Sequence, residues 1–349
     1  MVGDLYKEND DRRDAGFSLF YMGINLGALV GPLLTGFMQT RYGFHWGFGL
    51  AAVGMFLGLA QYTIYRKQFG DIGKTPPNPL PADLRLRVVG GAVLAIVVVA
   101  VLATTGVITT GNMSDIVVGL TIFAAVVYFA VILTSRHITP VERSRVWSFI
   151  PMFLASAVFW SLFQQQFTMV AVYSDTRLNR SLFGWDFPPS WVQSINPVFI
   201  IIFAGVFAAV WTKLGPRQPS SPIKFACGTI IMGIAFLCFI PMAGGGANSA
   251  PLLGLVGILL LFTLAELFLS PVGLSLTTKL APKNFHTQMV ALFYLSVALG
   301  SALAGTLAGY YNDDTEVSYY LWIGGASIAV GLILIALTPR IRKLMHGVH

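Results

Sequence analysis

Residues 259–279 read LLLFTLAELFLSPVGLSLTTK, and twenty of them pass before the first cation, Lys279. As a helix rising 1.5 Å per residue, such a run crosses a hydrocarbon core of roughly 30 Å. One residue does not belong in hydrocarbon: Glu266, close to the middle. An ionisable group at that depth costs a few kcal/mol on insertion scales, so it is expected to face protein or a water-filled cavity and to serve transport or proton relay. The plainer reading is a neutral carboxyl buried as a structural hydrogen-bond donor. A cation arriving beside it or leaving would change the proton's hold on it, which is the physical basis of proton coupling. Pro271 offers no amide hydrogen to the Leu267 carbonyl, so the helix should kink or loosen there, as a hinge or an ordinary bend. Ser270 and Gly273 follow at i+4 and i+7, giving a polar, open stripe on the face of Glu266.

The rest of the chain has the same character. Of 349 residues 55% are hydrophobic and 11% charged, against about a quarter charged in a soluble domain. About ten apolar blocks run over 17–39, 44–65, 87–106, 116–134, 146–171, 190–214, 224–243, 252–276, 286–311 and 319–338. They are continuous, not alternating, which predicts an all-α polytopic membrane protein and excludes a β-barrel. The first sixteen residues are polar and lack the apolar stretch of a signal peptide. The two cysteines, Cys227 and Cys238, would lie roughly 16 Å apart along a helix and cannot bridge.

Net charge is +7, but the basic residues are scattered between apolar blocks, which argues against a nucleic-acid surface. They alternate instead. Nineteen Lys and Arg fall at the two ends and after the even-numbered blocks, against Arg41, Arg177 and Arg180 in the alternate loops. Basic loops stay cytoplasmic, so an even number of spans with both termini cytoplasmic is expected.

The third and fourth blocks follow the proline-rich stretch 74–87 (KTPPNPLPADLRLR) and are almost free of polar residues, so they read as lipid-facing additions. A weak repeat relates Phe20-Tyr21, Leu26-Gly27, Leu34 and Gly36 to Phe293-Tyr294, Leu299-Gly300, Leu307 and Gly309 at a constant offset of 273. Shared membrane composition could produce it. If it reflects duplication into parallel halves, blocks five to eight have no upstream partners and four helices would precede Met1.

Other polar residues inside blocks are candidates. Tyr21, Asn25 and Pro32 share a face of the first block, while Gly23, Gly27 and Gly31 form a small-residue stripe expected to pack closely on a neighbouring helix. The Asn25 amide needs a partner, either another helix or a polar ligand. Gln164, Gln165 and Gln166 span about 200° of a helix, so at least one should face a polar interior suited to a substrate with backbone-like donors and acceptors. Asn196-Pro197 joins an amide to an interrupted hydrogen-bond ladder. The five histidines lie at block ends, in loops or in the tail, so no metal cluster and no catalytic residues are expected. A phosphate-binding loop is absent. A secondary transporter remains, with a channel or a non-transporting membrane scaffold as rivals.

The stretches FYMGINLGALVGPLLTGF, YGFHWGFGLAAVGM, FWSLFQQQFTMVAVYSD, WTKLGPRQPSSPIKF and AELFLSPVGLS together resemble the proton-dependent oligopeptide transporters of the major facilitator superfamily. The resemblance implies two six-helix bundles around a central site, with two additional helices between them in bacterial members. Blocks one and two (17–66) would then be the last helices of the N-terminal bundle, 67–142 the linker with the added pair, 143–340 the C-terminal bundle and 341–349 a cytoplasmic tail. Residues 1–16 would be a cytoplasmic loop. It further implies that Asn25 and Asn196 hydrogen-bond the peptide, that Glu266 holds its amino terminus and is the proton-coupling candidate, and that Ser270 and Phe293 line the pocket. Gln164 stands where the family often has Glu, so no second carboxylate lies there. The family's Glu-x-x-Glu-Arg motif and helix-four Lys have no counterpart, so the chain is expected to be a C-terminal portion that lacks four helices. The function implied is proton-coupled symport of di- or tripeptides across the cytoplasmic membrane, with no cofactor beyond the proton gradient and no metal. Its partners would be peptide, protons, lipid and the missing helices. The alternative is a non-transporting fragment or partner-dependent half-transporter.

Overall fold

The computed structural model describes residues 12–70 and 80–348. The expected cytoplasmic loop up to residue 11, the prolines at 76, 77 and 79 and the final His349 lie outside the described residues, as do the side chains of Phe20 and Tyr21. Eleven helices occur in the order α1 Arg12–Tyr42, α2 Phe44–Tyr65, α3 Ala82–Thr104, α4 Met113–Thr134, α5 Pro140–Phe163, α6 Met169–Thr176, α7 Ile195–Leu214, α8 Ser221–Leu237, α9 Leu252–Leu280, α10 His286–Ala308 and α11 Glu316–Leu344. Nine helical segments among the described residues are long and apolar enough to cross a membrane. Helix α1, with 31 residues, also has the length, and its sequence carries an uncharged, largely apolar stretch over 17–34. The ten expected blocks thus each fall largely within helical segments.

Two compact units divide at residue 113. In the first, α1 and α2 fold back on each other across Gly43, whose φ of +99° only glycine adopts readily. Close approach of the pair occurs at Gly47, where a Cβ would stand 3.0 Å from the Thr35 carbonyl oxygen. Gly23, Gly27 and Gly31 meet no described atom within 4 Å of where a Cβ would be. None of the residues of α3 is buried.

The second unit holds α4 to α11. Helix α4 differs from the lipid-facing reading, since Thr121, Ala125, Phe129 and Ile132 are buried. The Phe129 ring meets Phe153 edge-on at 5.5 Å, fastening α4 to α5. Helix α5 begins with a reciprocal cap: Glu142 N donates to Thr139 Oγ1 at 3.2 Å and Thr139 N donates to Glu142 Oε2 at 2.8 Å. Small residues let backbones touch where membrane helices gain little from hydrophobic drive. Gly233 of α8 and Gly324 of α11 face each other, and a Cβ on Gly324 would stand 2.8 Å from the Gly233 carbonyl oxygen. Gly300 of α10 meets Trp160, and Ser156 and Ser296 share a buried hydrogen bond of 2.8 Å between α5 and α10.

Two further features depart from the block reading. Residues 146–171 are not one helix, because Gln164–Phe167 form a 3-10 turn between α5 and α6. A small antiparallel hairpin, Ser181–Leu182 with Trp185–Asp186, turns through Phe183 and Gly184, both at positive φ. The C-terminal helix continues to Leu344, so the expected tail at 341–349 begins as helix.

Candidate functional site

Glu266 lies midway along the 29-residue α9, which runs unbroken through Pro271. The missing proline amide leaves the Leu267 carbonyl without its helical donor. Asn196 Nδ2, on α7, donates to Glu266 Oε2 at 3.3 Å and to Thr263 Oγ1 at 3.1 Å. Thr263 in turn donates to the Leu259 carbonyl at 3.0 Å and is fully buried. Both Asn196 and Glu266 are half-buried, so each keeps hydrogen-bonding capacity toward an incoming group. Thr263 sits at i−3 from Glu266, on the same face. That spacing was visible in the sequence, but a threonine in a membrane helix is usually satisfied by its own backbone, so it carried no signal.

Pro197 does not interrupt a ladder. It stands third in α7, where helix amides have no intrahelical partner in any case. Its neighbour Asn196 is thereby placed at the very start of the helix, beyond the 3-10 turn Pro189–Ser194.

The three glutamines separate into different roles. Gln164 Nε2 donates to Ser301 Oγ of α10 at 2.9 Å and is half-buried. Gln165 is buried, its amide donating to the Ala304 carbonyl at 3.3 Å and its Oε1 accepting from Thr168 Oγ1 at 2.8 Å. Gln166 is buried, and its backbone carbonyl accepts from the Gln193 amide. The Gln165 side chain therefore holds the break between α5 and α6, Gln166 takes part through its backbone carbonyl, and Gln164 alone stays partly open. One turn before it, the Trp160 indole N–H is buried with no acceptor among the described residues.

Phe293 is only 4% exposed. Its ring fills the space over Gly273 and lies next to Phe225, so the open stripe expected below Glu266 is closed at Gly273 by this aromatic. Ser270 remains half-buried one turn from Glu266. Asn25, half-buried on α1, belongs to the first unit. The structure thus brings Asn196 and Glu266 together and sets Phe293 in the core.

A second buried carboxylate escaped the sequence reading because it lies at a block end. Glu316, first residue of α11, is 1% exposed and accepts from Arg177 Nη2 at 3.2 Å, from Tyr311 OH at 3.2 Å and from the Gly244 amide at 2.9 Å. Burial pushes the Tyr311 hydroxyl up to about 12, keeping it a donor. Arg177 also reaches the exposed Asp313 at 2.9 Å. This cluster ties the end of α6, the α8–α9 loop and the start of α11 at one end of the unit.

Glu266 is thus held by an amide between helices long and apolar enough to span a membrane, the layout of a polytopic membrane protein with a polar site among its helices. Residues 1–323 match the POT family (PTR2). The uncharacterized transporter YclF of Bacillus subtilis is 43% identical over all of this chain and 71% of its own length. A di-/tripeptide transporter of Lactococcus lactis subsp. cremoris is 35% identical over all of this chain and 72% of its own. The crystal structure of a peptide transporter POT in complex with sulfate superposes with a TM-score of 0.93 at 46% identity, over 99% of this chain and 72% of that one. The chain belongs to the POT family.

Proposed function

We propose that the protein performs proton-coupled symport of di- and tripeptides across the cytoplasmic membrane, with both ends of the chain on the cytoplasmic side. The observation that carries the reading is the Asn196–Glu266 pair within the spans, at 3.3 Å. A peptide's ammonium group is the natural partner of Glu266: its arrival favours the carboxylate and its departure favours the proton. Asn196 shares one amide between Glu266 and Thr263, so it can orient the carboxylate and exchange one bond for a peptide carbonyl. Gln164, half-open beside the orphan indole N–H of Trp160, supplies further amide recognition, and Ser270 lines the approach. The energy source is the proton gradient, without a cofactor. Names given to relatives, among them the Lactococcus di-/tripeptide transporter, support the substrate class, and the nineteen-to-three distribution of basic residues supports the orientation.

Uptake of a labelled dipeptide by vesicles containing the protein, under an imposed inward proton gradient, tests the reading. Saturable uptake that collapses with a protonophore is expected. Uptake equal to that of empty vesicles, or indifferent to the protonophore, would overturn it.

A further inference from the structure

Away from Glu266, a recess of about 1020 Å³ opens where α7, α8, α9 and α11 meet. Three cations line it, Lys224, Lys279 and Arg342, and no Asp or Glu does so among the described residues. Lys224 is 8% exposed. Its Nζ donates to the neutral Gln218 Oε1 at 2.8 Å and lies 4.2 Å from the centre of the Trp211 ring. Gln218 is itself fixed, its amide donating to the Trp211 carbonyl at 2.8 Å. A buried ammonium without a carboxylate is costly unless an anion completes it. The recess also receives the start of α8, where Ser220 makes no side-chain cap bond, so backbone amides add to the positive potential.

We propose that this recess binds the phosphate of an anionic phospholipid headgroup. Phosphate is the complement of three convergent cations and a helix start. The membrane is the source because of where the recess sits. It lies at the end where α7, α9 and α11 finish with Lys213, Lys279, Arg342 and Lys343, the end that the basic loops assign to the cytoplasmic leaflet. The exposed side chains Val206 and Val210 lie one turn apart on the same helix, an apolar strip on which an acyl chain can lie. Basic pockets between spans on this side are suited to such headgroups.

Native mass spectrometry of the detergent-purified protein, titrated with phosphatidylglycerol, phosphatidylcholine or inorganic phosphate, tests the assignment. One phosphatidylglycerol should be held in preference to phosphatidylcholine. Lys224→Gln should weaken it, and Lys279→Gln with Arg342→Gln should weaken it about thirtyfold, from about a fivefold loss per cation near the surface. The double variant decides the matter if Lys224→Gln fails to fold. Equal retention of the two lipids, or unchanged binding by the double variant, would overturn the proposal. Displacement of the lipid by inorganic phosphate at matching concentration would also overturn it, by showing a soluble-anion site.

Discussion

Asn196 and Glu266 stand on different helices, 70 residues apart in sequence, with the Asn196 amide donating to Glu266 at 3.3 Å and to Thr263 at 3.1 Å. A single NH₂ group therefore bridges a buried hydroxyl and the carboxylate that sits at the middle of a membrane helix. Whatever displaces that amide from Glu266 can leave it on Thr263, so the pair can open toward a ligand without stranding a polar group.

Asn196→Ala should raise the peptide KM about fivefold to tenfold, the worth of one hydrogen bond of about 1 kcal/mol, with expression unchanged. Thr263→Val should have a smaller effect, because the amide retains Glu266. Dipeptide uptake kinetics on both variants check the order, and a larger effect at Thr263 would contradict the bridging role.

Glu316→Ala should be strongly destabilising, by about 3 kcal/mol, because it leaves Arg177 buried with only an exposed partner. The side chain of Asp313 is 87% exposed, so Asp313→Asn should change stability by less than about 1 kcal/mol. Thermal unfolding of the purified variants measures both. Equal effects would mean that the ion pair at Glu316 is not the fastening of that end.

Gly324→Ala should lower stability by about 1–3 kcal/mol through overpacking, since its Cβ would fall 2.8 Å from the Gly233 carbonyl and 3.1 Å from Leu237. Gly27→Ala, which meets no described atom within 4 Å, is the comparison and should be near neutral. Melting temperatures separate the two.

Phe293→Ala should cost about 3–5 kcal/mol, as for other large core aromatics, and Phe293→Leu much less. A pocket aromatic would show the reverse balance, with little loss of stability and a large change in peptide KM. Parallel melting and uptake measurements distinguish the roles.

The spans were readable in the sequence because hydrocarbon demands continuous apolar runs, and Glu266 was conspicuous because a charge there is rare. What escaped the sequence depended on partners brought by folding. Glu316 sits at a helix start, where carboxylates are ordinarily solvated, and only the approach of Arg177 and the Gly244 amide buries it. The glutamine run signalled polarity correctly but not its use: the Gln165 side chain serves a turn that periodicity does not announce. The glycine stripe of α1 and the tight pair Gly233 and Gly324 look alike in composition, yet among the described residues the second alone has a backbone opposite it. Phe293 read as a pocket residue by resemblance, and the absence of a side chain at Gly273 is what admits it to the core.

Proton-driven dipeptide uptake by Glu266→Gln is the most direct test of the central claim. The substitution keeps the shape and a hydrogen-bonding group for Asn196 but removes the titratable carboxylate. Uptake should fall by at least about tenfold, the value of a hydrogen bond to a charged group, while the melting temperature stays close to that of the unaltered protein. Uptake at the unaltered rate, with full dependence on the proton gradient, would contradict the assignment of Glu266.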